Sequence, residues 1–256
     1  MQKLSMRGSL RAVLRSSLRE PLRVTDELSA LVRSLFSAGE QGAFYIPRPI
    51  VNGKQALFQD SAGTVPVTVD GDPVGRMLDQ SGNGYHASQS VSGMRPVYRT
   101  DEVLHWLEGD GIDDFIDTGL SHQAVWAVYA AVRDISGDGA IFGGRSSNNT
   151  RFYMTKDLVS VGGDVTSITE LSDGVVSLSI YSGSTFDAKN NGESVLSGGY
   201  AGTTQPGISS YIFAWNNVGT AVFHASGKFH GAYFGLPVAD DQDLIEYLAN
   251  LAGVTL

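Results

Sequence analysis

The stretch Leu104-His-Trp-Leu-Glu-Gly-Asp-Gly-Ile-Asp-Asp-Phe-Ile-Asp-Thr-Gly119 decides how the rest of the chain is interpreted. It begins with a short alternating run, which is typical of a β-strand with one buried face. The turn Glu108–Gly111 follows, in which the glycines can adopt positive φ and Asp110 can accept hydrogen bonds from nearby backbone. A second apolar run begins at Phe115. The pattern predicts two strands joined by a tight reversal.

The same pattern of short apolar runs bounded by Gly, Asn, Asp or Ser recurs from residue 124 onward. The predicted strands are Val125–Arg133, Ala140–Phe142, Phe152–Thr155, Val159–Val161, Val175–Tyr181, Ser194–Leu196, Tyr211–Ala214, Ala221–Phe223 and Phe229–Phe234. The first of these is apolar on both faces, as expected inside a two-sheet sandwich. A short helix over 240–251, capped by Asp240, closes the chain. The spacing favours a mainly β sandwich or jelly roll over an alternating α/β fold.

Composition limits the kinds of site that the chain can carry. The 256 residues include 31 glycines, an excess that favours turns, and no cysteine, which excludes disulfides and thiolate metal sites. No apolar run reaches the roughly 18 residues that a membrane-spanning helix needs. Arginines recur where a secretory signal would have its apolar core. We therefore expect neither membrane insertion nor a secretory leader.

The N-terminal region differs from the rest of the chain in charge and pattern. Residues 1–39 carry a net charge of +4, and residues 40–256 carry −13. Residues 4–20 predict a helix with an apolar stripe beside a basic stripe, and Pro21 is expected to end it. Thr25 then fits the N-cap of a second helix. We therefore divide the chain into an N-terminal helical arm, 1–39, and a β domain, 40–256.

Two main alternatives remain open for this arm. It could dock on neighbouring copies or on a larger particle, or its helices could pack on their own domain. The residues that would make the assembly contacts are Arg7, Arg11, Arg15, Arg19, Leu28, Leu31 and Leu35. The arginine row alone could contact nucleic acid, but the acidic body argues against nucleic acid as a partner.

The sequence shows no catalytic constellation. Sandwich-fold retaining glycosidases need two carboxylates about 5 Å apart, and the few glutamates of the β region are not paired at a suitable spacing. Asp79 and His86 share a glycine-rich loop, where such residues are more often turn formers than an acid–base pair. We therefore expect no catalytic residues, no enzymatic activity and no cofactor.

The densest acidic group offers the one candidate metal site. Asp110, Asp113 and Asp114 carry the hard oxygen ligands that calcium prefers. Their spacing does not match an EF-hand loop, so the sequence favours a solvated turn over a calcium site.

The run Tyr211-Ile-Phe-Ala-Trp-Asn-Asn217 provides a candidate carbohydrate site. An exposed Trp215 could stack on the apolar face of a sugar, and the amides of Asn216 and Asn217 could bind its hydroxyls. The alternative is that these aromatic residues belong to the core and lead into an Asn turn.

Two parts of the sequence resemble known families. Asp79-Gln-Ser-Gly-Asn-Gly-Tyr-His-Ala87 followed by Trp106-Leu-Glu-Gly-Asp-Gly-Ile-Asp-Asp-Phe-Ile116 resembles the pattern of concanavalin A-like, laminin-G-like jelly-roll domains. The segments Leu35–Ala43, Leu57–Val67 and Pro73–Asp79 are similar to a region shared by many tailed-bacteriophage virion proteins. One departure is Phe44-Tyr-Ile-Pro47, where related segments usually read Trp-Tyr-Asp-Pro.

The resemblance implies a structural component of a phage virion, assembled in the host cytoplasm. The expected role is a tail-fibre, baseplate or receptor-binding protein whose lectin-like domain adheres to host-surface polysaccharide. A capsid decoration or purely architectural protein is the alternative, and a polysaccharide-degrading enzyme is disfavoured. The arm of residues 1–39 would bind other virion proteins, and the resemblance favours a homo-oligomer, in particular a trimer.

Overall fold

The fold is described from a computed structural model of the chain. It describes residues 20–148, 150–182, 184–201 and 207–256. Two helices occur in these ranges, α1 (Glu20–Phe36) and α2 (Gln242–Leu251). The strands are β1 (Ala43–Tyr45), β2 (Ile50–Val51), β3 (Lys54–Gln55), β4 (Leu57–Phe58), β5 (Arg76–Met77), β6 (Ala87–Ser88), β7 (Val97–Thr100), β8 (His105–Asp110), β9 (Ile116–Ser121), β10 (Trp126–Ser136), β11 (Ala140–Arg145), β12 (Arg151–Thr155), β13 (Leu158–Gly162), β14 (Asp164–Ser167), β15 (Gly174–Tyr181), β16 (Thr185–Asn190), β17 (Glu193–Gly199), β18 (Ser209–Ile212), β19 (Trp215–Asn217), β20 (Thr220–Val222) and β21 (Ser226–Gly235).

The strands form two large sheets. The first has the order β17-β16-β15-β10-β21-β8-β7, with β1 paired to β21. The second has the order β14-β13-β12-β11-β18-β9-β6-β5-β4, with β19 paired to β11 and β20. Strands β2 and β3 make a separate hairpin. The prediction of a mainly β fold is confirmed, while the jelly-roll arrangement stays a prediction.

The two sheets enclose one large core. Side chains of both sheets share a single buried cluster, for example Val128 and Phe229 from the first sheet and Phe142 and Phe152 from the second. Strand β10 shows how sequence alternation produces this packing, because successive side chains of a strand point to opposite faces. Its residues Trp126, Val128, Ala130 and Val132 belong to this core. The intervening residues of β10 face the other side of the first sheet.

The two helices cover the outer face of the first sheet. The outward residues of β10, including Tyr129, pack in a second cluster with Leu28 and Leu35 of α1 and with Leu244 and Leu248 of α2. Leu31 is partly buried against the same cluster. Three of the residues assigned to assembly contacts therefore touch the sheet of their own chain. Arg7, Arg11, Arg15 and Arg19 lie outside the described residues, so the assembly role and the boundary at residue 39 stay predictions.

The ends of the helices differ from the sequence prediction. Helix α1 contains both Pro21 and Thr25. The predicted helix break at Pro21 and the predicted N-cap at Thr25 are therefore wrong. A proline is tolerated in the first turn of a helix, because the N–H that it lacks would have no intrahelical partner there. At the other helix, Asp241 rather than Asp240 precedes α2. The carboxylate of Asp241 accepts hydrogen bonds from Tyr129, at 3.0 Å, and Lys189, at 2.8 Å, and makes no side-chain cap.

The stretch 104–119 does not form the predicted reversal. Strand β8 pairs with β7 and β21 in the first sheet, whereas β9 pairs with β18 and β6 in the second. The turn between them is therefore a corner at which the chain passes from one sheet to the other. Asp110 organises this corner, because its Oδ1 accepts hydrogen bonds from the backbone N–H groups of residues 112, 113 and 114.

Candidate functional site

A small aromatic cluster lies on the outer face of the second sheet. Ala140, Tyr153 and Trp215 form a third buried cluster, with Val222 packed against it. The neighbours of Tyr153 along β12, Phe152 and Met154, belong to the main core instead. Alternation along β12 therefore places Tyr153 on the face that points away from the first sheet.

A two-residue hairpin fixes the position of Trp215 in this cluster. Strands β19 and β20 pair from Trp215 to Val222, and the turn between them is Val218-Gly219. Both turn residues have positive φ, 54° and 88°, as a type I′ turn requires. The Oδ1 atom of Asn216 accepts a hydrogen bond of 2.8 Å from the backbone N–H of Gly219 and closes the turn.

The indole of Trp215 is covered by its neighbours. Its ring stacks with Tyr153, at a centroid distance of 4.5 Å, and with Phe223, at 5.4 Å. The guanidinium carbon of Arg145 lies 4.2 Å from the indole centroid. Trp215 is only 6% exposed. The structure therefore makes Trp215 a support within an aromatic stack, and not the free stacking surface that the sequence suggested.

Asn216 and Asn217 are likewise occupied by contacts within the protein. The amide nitrogen of Asn216 donates to the carbonyl of Ser209 at 2.8 Å, in addition to the contact with Gly219. Oδ1 of Asn217 accepts a 2.9 Å hydrogen bond from Arg145. These two amides hold the hairpin and the arginine in place, so the part of the sequence-based site that the structure brings to a pocket is Trp215.

The exposed aromatic residue of the cluster is Phe223. It is 60% exposed and adopts φ of 53°, a left-handed conformation that costs a bulky residue roughly 1–2 kcal/mol. Its backbone is held there, because its carbonyl accepts a 2.7 Å hydrogen bond from the N–H of Ala140. Gly139 permits this close approach, since a Cβ at that position would lie 2.1 Å from the carbonyl oxygen of His224.

These side chains line a pocket of about 360 Å³. Tyr153, Trp215 and Phe223 supply its aromatic wall, and Asp138, Thr155 and Asp157 supply its polar groups. The Thr155 hydroxyl donates to Asp157 Oδ1 at 3.0 Å, which orients that carboxylate. No lysine or arginine is among the described residues that line the pocket. The pocket thus combines an aromatic surface with hydrogen-bond acceptors of negative charge.

Most of this pocket lies outside the site that the sequence predicts. Tyr153 and Phe223 were placed on strands but were not connected to Trp215, and Asp138 and Asp157 were not singled out. The available signal was alternation, since Tyr153 falls on the face opposite Phe152 in a strand that is apolar on both sides. Proximity between residues 138, 157 and 223 depends on strand pairing, which the sequence pattern does not specify.

The candidate calcium residues do lie together. One carboxylate oxygen from each of Asp110, Asp113 and Asp114 falls within 4.8 Å of the others. The Oδ2 atom of Asp114 accepts a hydrogen bond of 3.2 Å from the backbone N–H of Asp110. Burial and the neighbouring carboxylate of Asp110 raise the pKa of Asp114 to about 6. The geometry is that of a corner whose carboxylates bond to its own backbone, and calcium binding stays the untested alternative to the solvated turn that the sequence favours.

Asp79 proves to be a structural residue. Its carboxylate accepts hydrogen bonds from the backbone N–H groups of Phe44, Ser81, Gly84 and Tyr85 and from the hydroxyl of Ser81. Nδ1 of His86 accepts a hydrogen bond of 3.1 Å from the backbone N–H of Asp79. The interpretation of this loop as a turn is therefore confirmed.

Two comparisons of the whole sequence with known proteins found no match. No family model matches it, and a search of curated proteins finds no significant relative. None of the helices in the described ranges has the length and apolar character needed to span a bilayer.

Solved structures resemble the fold at low sequence identity. A mutant GH54 α-L-arabinofuranosidase soaked with 4-nitrophenyl α-L-arabinofuranoside matches with a TM-score of 0.57 and 10% identity, covering 86% of this chain and 64% of that chain. A GH54 enzyme soaked with a cyclic sulfate inhibitor matches with a TM-score of 0.57 and 12% identity over the same shares. A third match is domain 4 of AbnA, a GH43 extracellular arabinanase from Geobacillus stearothermophilus, in complex with arabinotriose. Its TM-score is 0.47 at 15% identity, and the match covers 68% of this chain and 91% of that chain.

These structures establish the fold class and correct one expectation. The chain spans 26% of a NanB sialidase chain and 64% of the GH54 chains. The chain is a mainly β protein that shares its fold with the two GH54 structures. The expectation that the chain is not an enzyme is contradicted, because two structures that share its fold over 86% of its length are those of GH54 arabinofuranosidases.

Proposed function

We propose that the chain binds carbohydrate in the aromatic pocket of its second sheet. The observation that carries the proposal is Phe223, an aromatic side chain held 60% exposed at the rim of the pocket in a strained left-handed conformation. Strain of this kind persists where the surrounding structure enforces it and is concentrated at functional sites. One face of the phenyl ring stacks on Trp215 and helps to bury it, and the remaining 60% exposed surface is the part that a ligand could use.

The chemistry of the pocket suits an uncharged saccharide. The phenyl ring of Phe223 offers an apolar surface to the C–H groups of a sugar ring, in the manner of other amphipathic ligands. Asp138 and Asp157 are acceptors for sugar hydroxyls, and their negative charge disfavours sialic acids and uronic acids. The volume of about 360 Å³ lies in the roughly 300–1,000 Å³ range of small-ligand sites.

The biological setting that we propose rests on the sequence resemblance alone. Residues 35–79 resemble a region of tailed-phage virion proteins, so the pocket would serve attachment of a virion to host-surface glycans. A tail-fibre, baseplate or receptor-binding position fits this role, and a decoration protein on the capsid is the alternative. Under either assignment the protein is a virion component that joins its neighbours through residues 1–39.

The binding proposal is tested with the full chain and a panel of soluble polysaccharides. Arabinan, xylan and dextran represent neutral glycans, and a sialylated glycan represents acidic ones. Calorimetry should detect binding to at least one neutral glycan, and Phe223→Ala should weaken it tenfold or more. Val218→Ala is the matched control, since Val218 is also apolar, 63% exposed and at positive φ, yet lies outside the pocket. Equal binding by the Phe223 variant and the wild type would remove the pocket from the proposal.

A second candidate, glycoside cleavage in the same pocket, is favoured by its two carboxylates. Hydrolysis with retention or inversion requires one carboxylic acid to protonate the leaving oxygen and one carboxylate to act as nucleophile or base. Asp138 and Asp157 are the two acidic residues that line the pocket. Release of reducing ends from a bound glycan, abolished by Asp138→Asn or Asp157→Asn with binding retained, would support this candidate. Binding without any new reducing ends would leave the protein as a lectin.

A further inference from the structure

A second concave surface lies between the two helices, on the outer side of the first sheet, whereas the aromatic pocket is on the second sheet. It is a groove of about 580 Å³ between α1 and α2. Its charged residues are all acidic: Glu27 comes from α1, and Asp243 and Glu246 come from α2. All three are exposed. Leu31 and Tyr247, both half-buried, supply its apolar part. We refer to this surface as the interhelical groove.

The groove selects for a ligand that is basic on one side and apolar on another. Three carboxylates with no lysine or arginine among the described lining residues create a local negative potential, which attracts cations. The apolar side chains between them favour a partner that also carries aliphatic groups. An amphipathic basic helix has both properties, and such helices commonly bind in grooves.

The sequence of this chain contains a segment with that chemistry. Residues 4–20 carry an arginine at every fourth position, beside an aliphatic stripe. The arginines are Arg7, Arg11, Arg15 and Arg19, and the aliphatic residues are Leu10, Val13, Leu14 and Leu18. Four guanidinium groups on one segment thus complement three carboxylates on the groove.

We propose that the interhelical groove binds the basic segment, residues 4–19, of a second copy of the chain. Each copy would place its segment in the groove of the other, which closes a dimer with two-fold symmetry. A segment in its own groove is disfavoured by connectivity. The groove residues of α1 lie 7–14 positions beyond Glu20, so roughly 10–21 Å along the helix at 1.5 Å per residue. The segment would have to reverse direction immediately before Glu20 to reach them, whereas a segment from a second copy needs no reversal.

Charge exchange between two variants of the full chain tests this proposal. In the groove variant, Asp243→Lys and Glu246→Lys make the groove basic. In the segment variant, Arg7→Glu, Arg11→Glu and Arg15→Glu make the segment acidic, because one arginine then remains beside three glutamates. Light scattering coupled to gel filtration should show a dimer for the wild type at about 50 mM salt and dissociation at about 500 mM. Each variant alone should be a monomer, with a dimer dissociation constant raised tenfold or more.

The decisive sample is an equal mixture of the two variants. If the segments are exchanged between copies, both pairings in a mixed dimer are again complementary, so the mixture should recover the dimer mass. The control variant Glu102→Lys with Glu170→Lys makes the same charge change at exposed sites outside the groove and should dimerise like the wild type. A wild-type monomer, a groove variant that stays dimeric, or a mixture that stays monomeric would each overturn the proposal. A wild-type monomer is the result expected if the segment binds within its own chain. The proposal is independent of carbohydrate binding.

Discussion

The outer faces of the two sheets are both built from alternate residues of their strands, but they differ in what covers them. Helices cover the outer face of the first sheet, whereas an exposed aromatic residue lies on that of the second. On the first sheet, Tyr129 and its neighbours are covered by α1 and α2 and become a second core. On the second sheet, Tyr153 and Trp215 form a small buried cluster, and Phe223, which packs on Trp215, stays 60% exposed at the pocket. An apolar outer face therefore has two uses. Where an element of the same chain covers it, it stabilises the fold, and where nothing in the described structure covers it, it is available to a ligand.

The largest effect should come from the covered face. Leu248 is fully buried between α2 and the first sheet, so Leu248→Ala should lower the free energy of unfolding by about 2–5 kcal/mol through lost burial and the cavity left behind. Urea unfolding would measure this change. Glycan binding by the folded fraction should be unaffected, because the pocket lies on the other sheet. A change in glycan affinity would show that the two faces are coupled.

The difference between the faces also explains how far the sequence could predict the structure. Strands such as β10 were predictable because β-prone runs bounded by turn-forming residues are local signals. Which sheet a strand joins depends on pairing between distant segments. The stretch 104–119 illustrates this limit, since its glycines and Asp110 predicted a turn correctly but could not reveal that β8 and β9 belong to different sheets.

The candidate site shows the same limit. Trp215 was singled out from its local sequence, because an exposed indole beside amide side chains would suit a sugar. Its burial under Tyr153, Phe223 and Arg145 results from three separate strands and could not be derived from the neighbouring residues. The exposure of Phe223 depends on a left-handed backbone that no rule predicts for phenylalanine.

An intermediate effect is expected at the corner that joins the two sheets. The pKa of Asp114 is raised from 3.8 to about 6, so between pH 4 and 6 the native state binds more protons at this site than the unfolded state. The protonated carboxyl of Asp114 therefore contributes its full share of the folding stability at low pH, and this contribution is lost as the pH rises through about 6. Asp114→Asn should stabilise the protein at pH 7 by about 1–2 kcal/mol, since one pKa unit corresponds to about 1.4 kcal/mol and solvent screens part of it.

The measurement is a pair of urea titrations, at pH 7 and at about pH 4.5, for the wild type and for Asp114→Asn. The gain from the substitution should shrink at the lower pH, where the wild-type carboxyl is already protonated. A constant gain at both pH values would mean that the carboxylate charge is not its cause. Added calcium gives a further readout, because binding to the acidic corner would stabilise the wild type at pH 7 and reverse the advantage of the variant.

The smallest effect on stability should accompany the sharpest effect on function. Phe223→Gly removes the left-handed strain, but it loses the stacking of the ring on Trp215 and adds the entropy of glycine to the unfolded state, so stability should change by no more than about 1 kcal/mol in either direction. Val218→Gly should behave alike in urea unfolding, since Val218 is also exposed at positive φ. Only the Phe223 variant should lose glycan binding, by tenfold or more. An exposed phenylalanine kept at a strained position makes physical sense if a ligand uses its ring. If both glycine variants keep full binding, the open face of the second sheet is not the ligand surface, and the contrast between the faces reduces to a difference in packing.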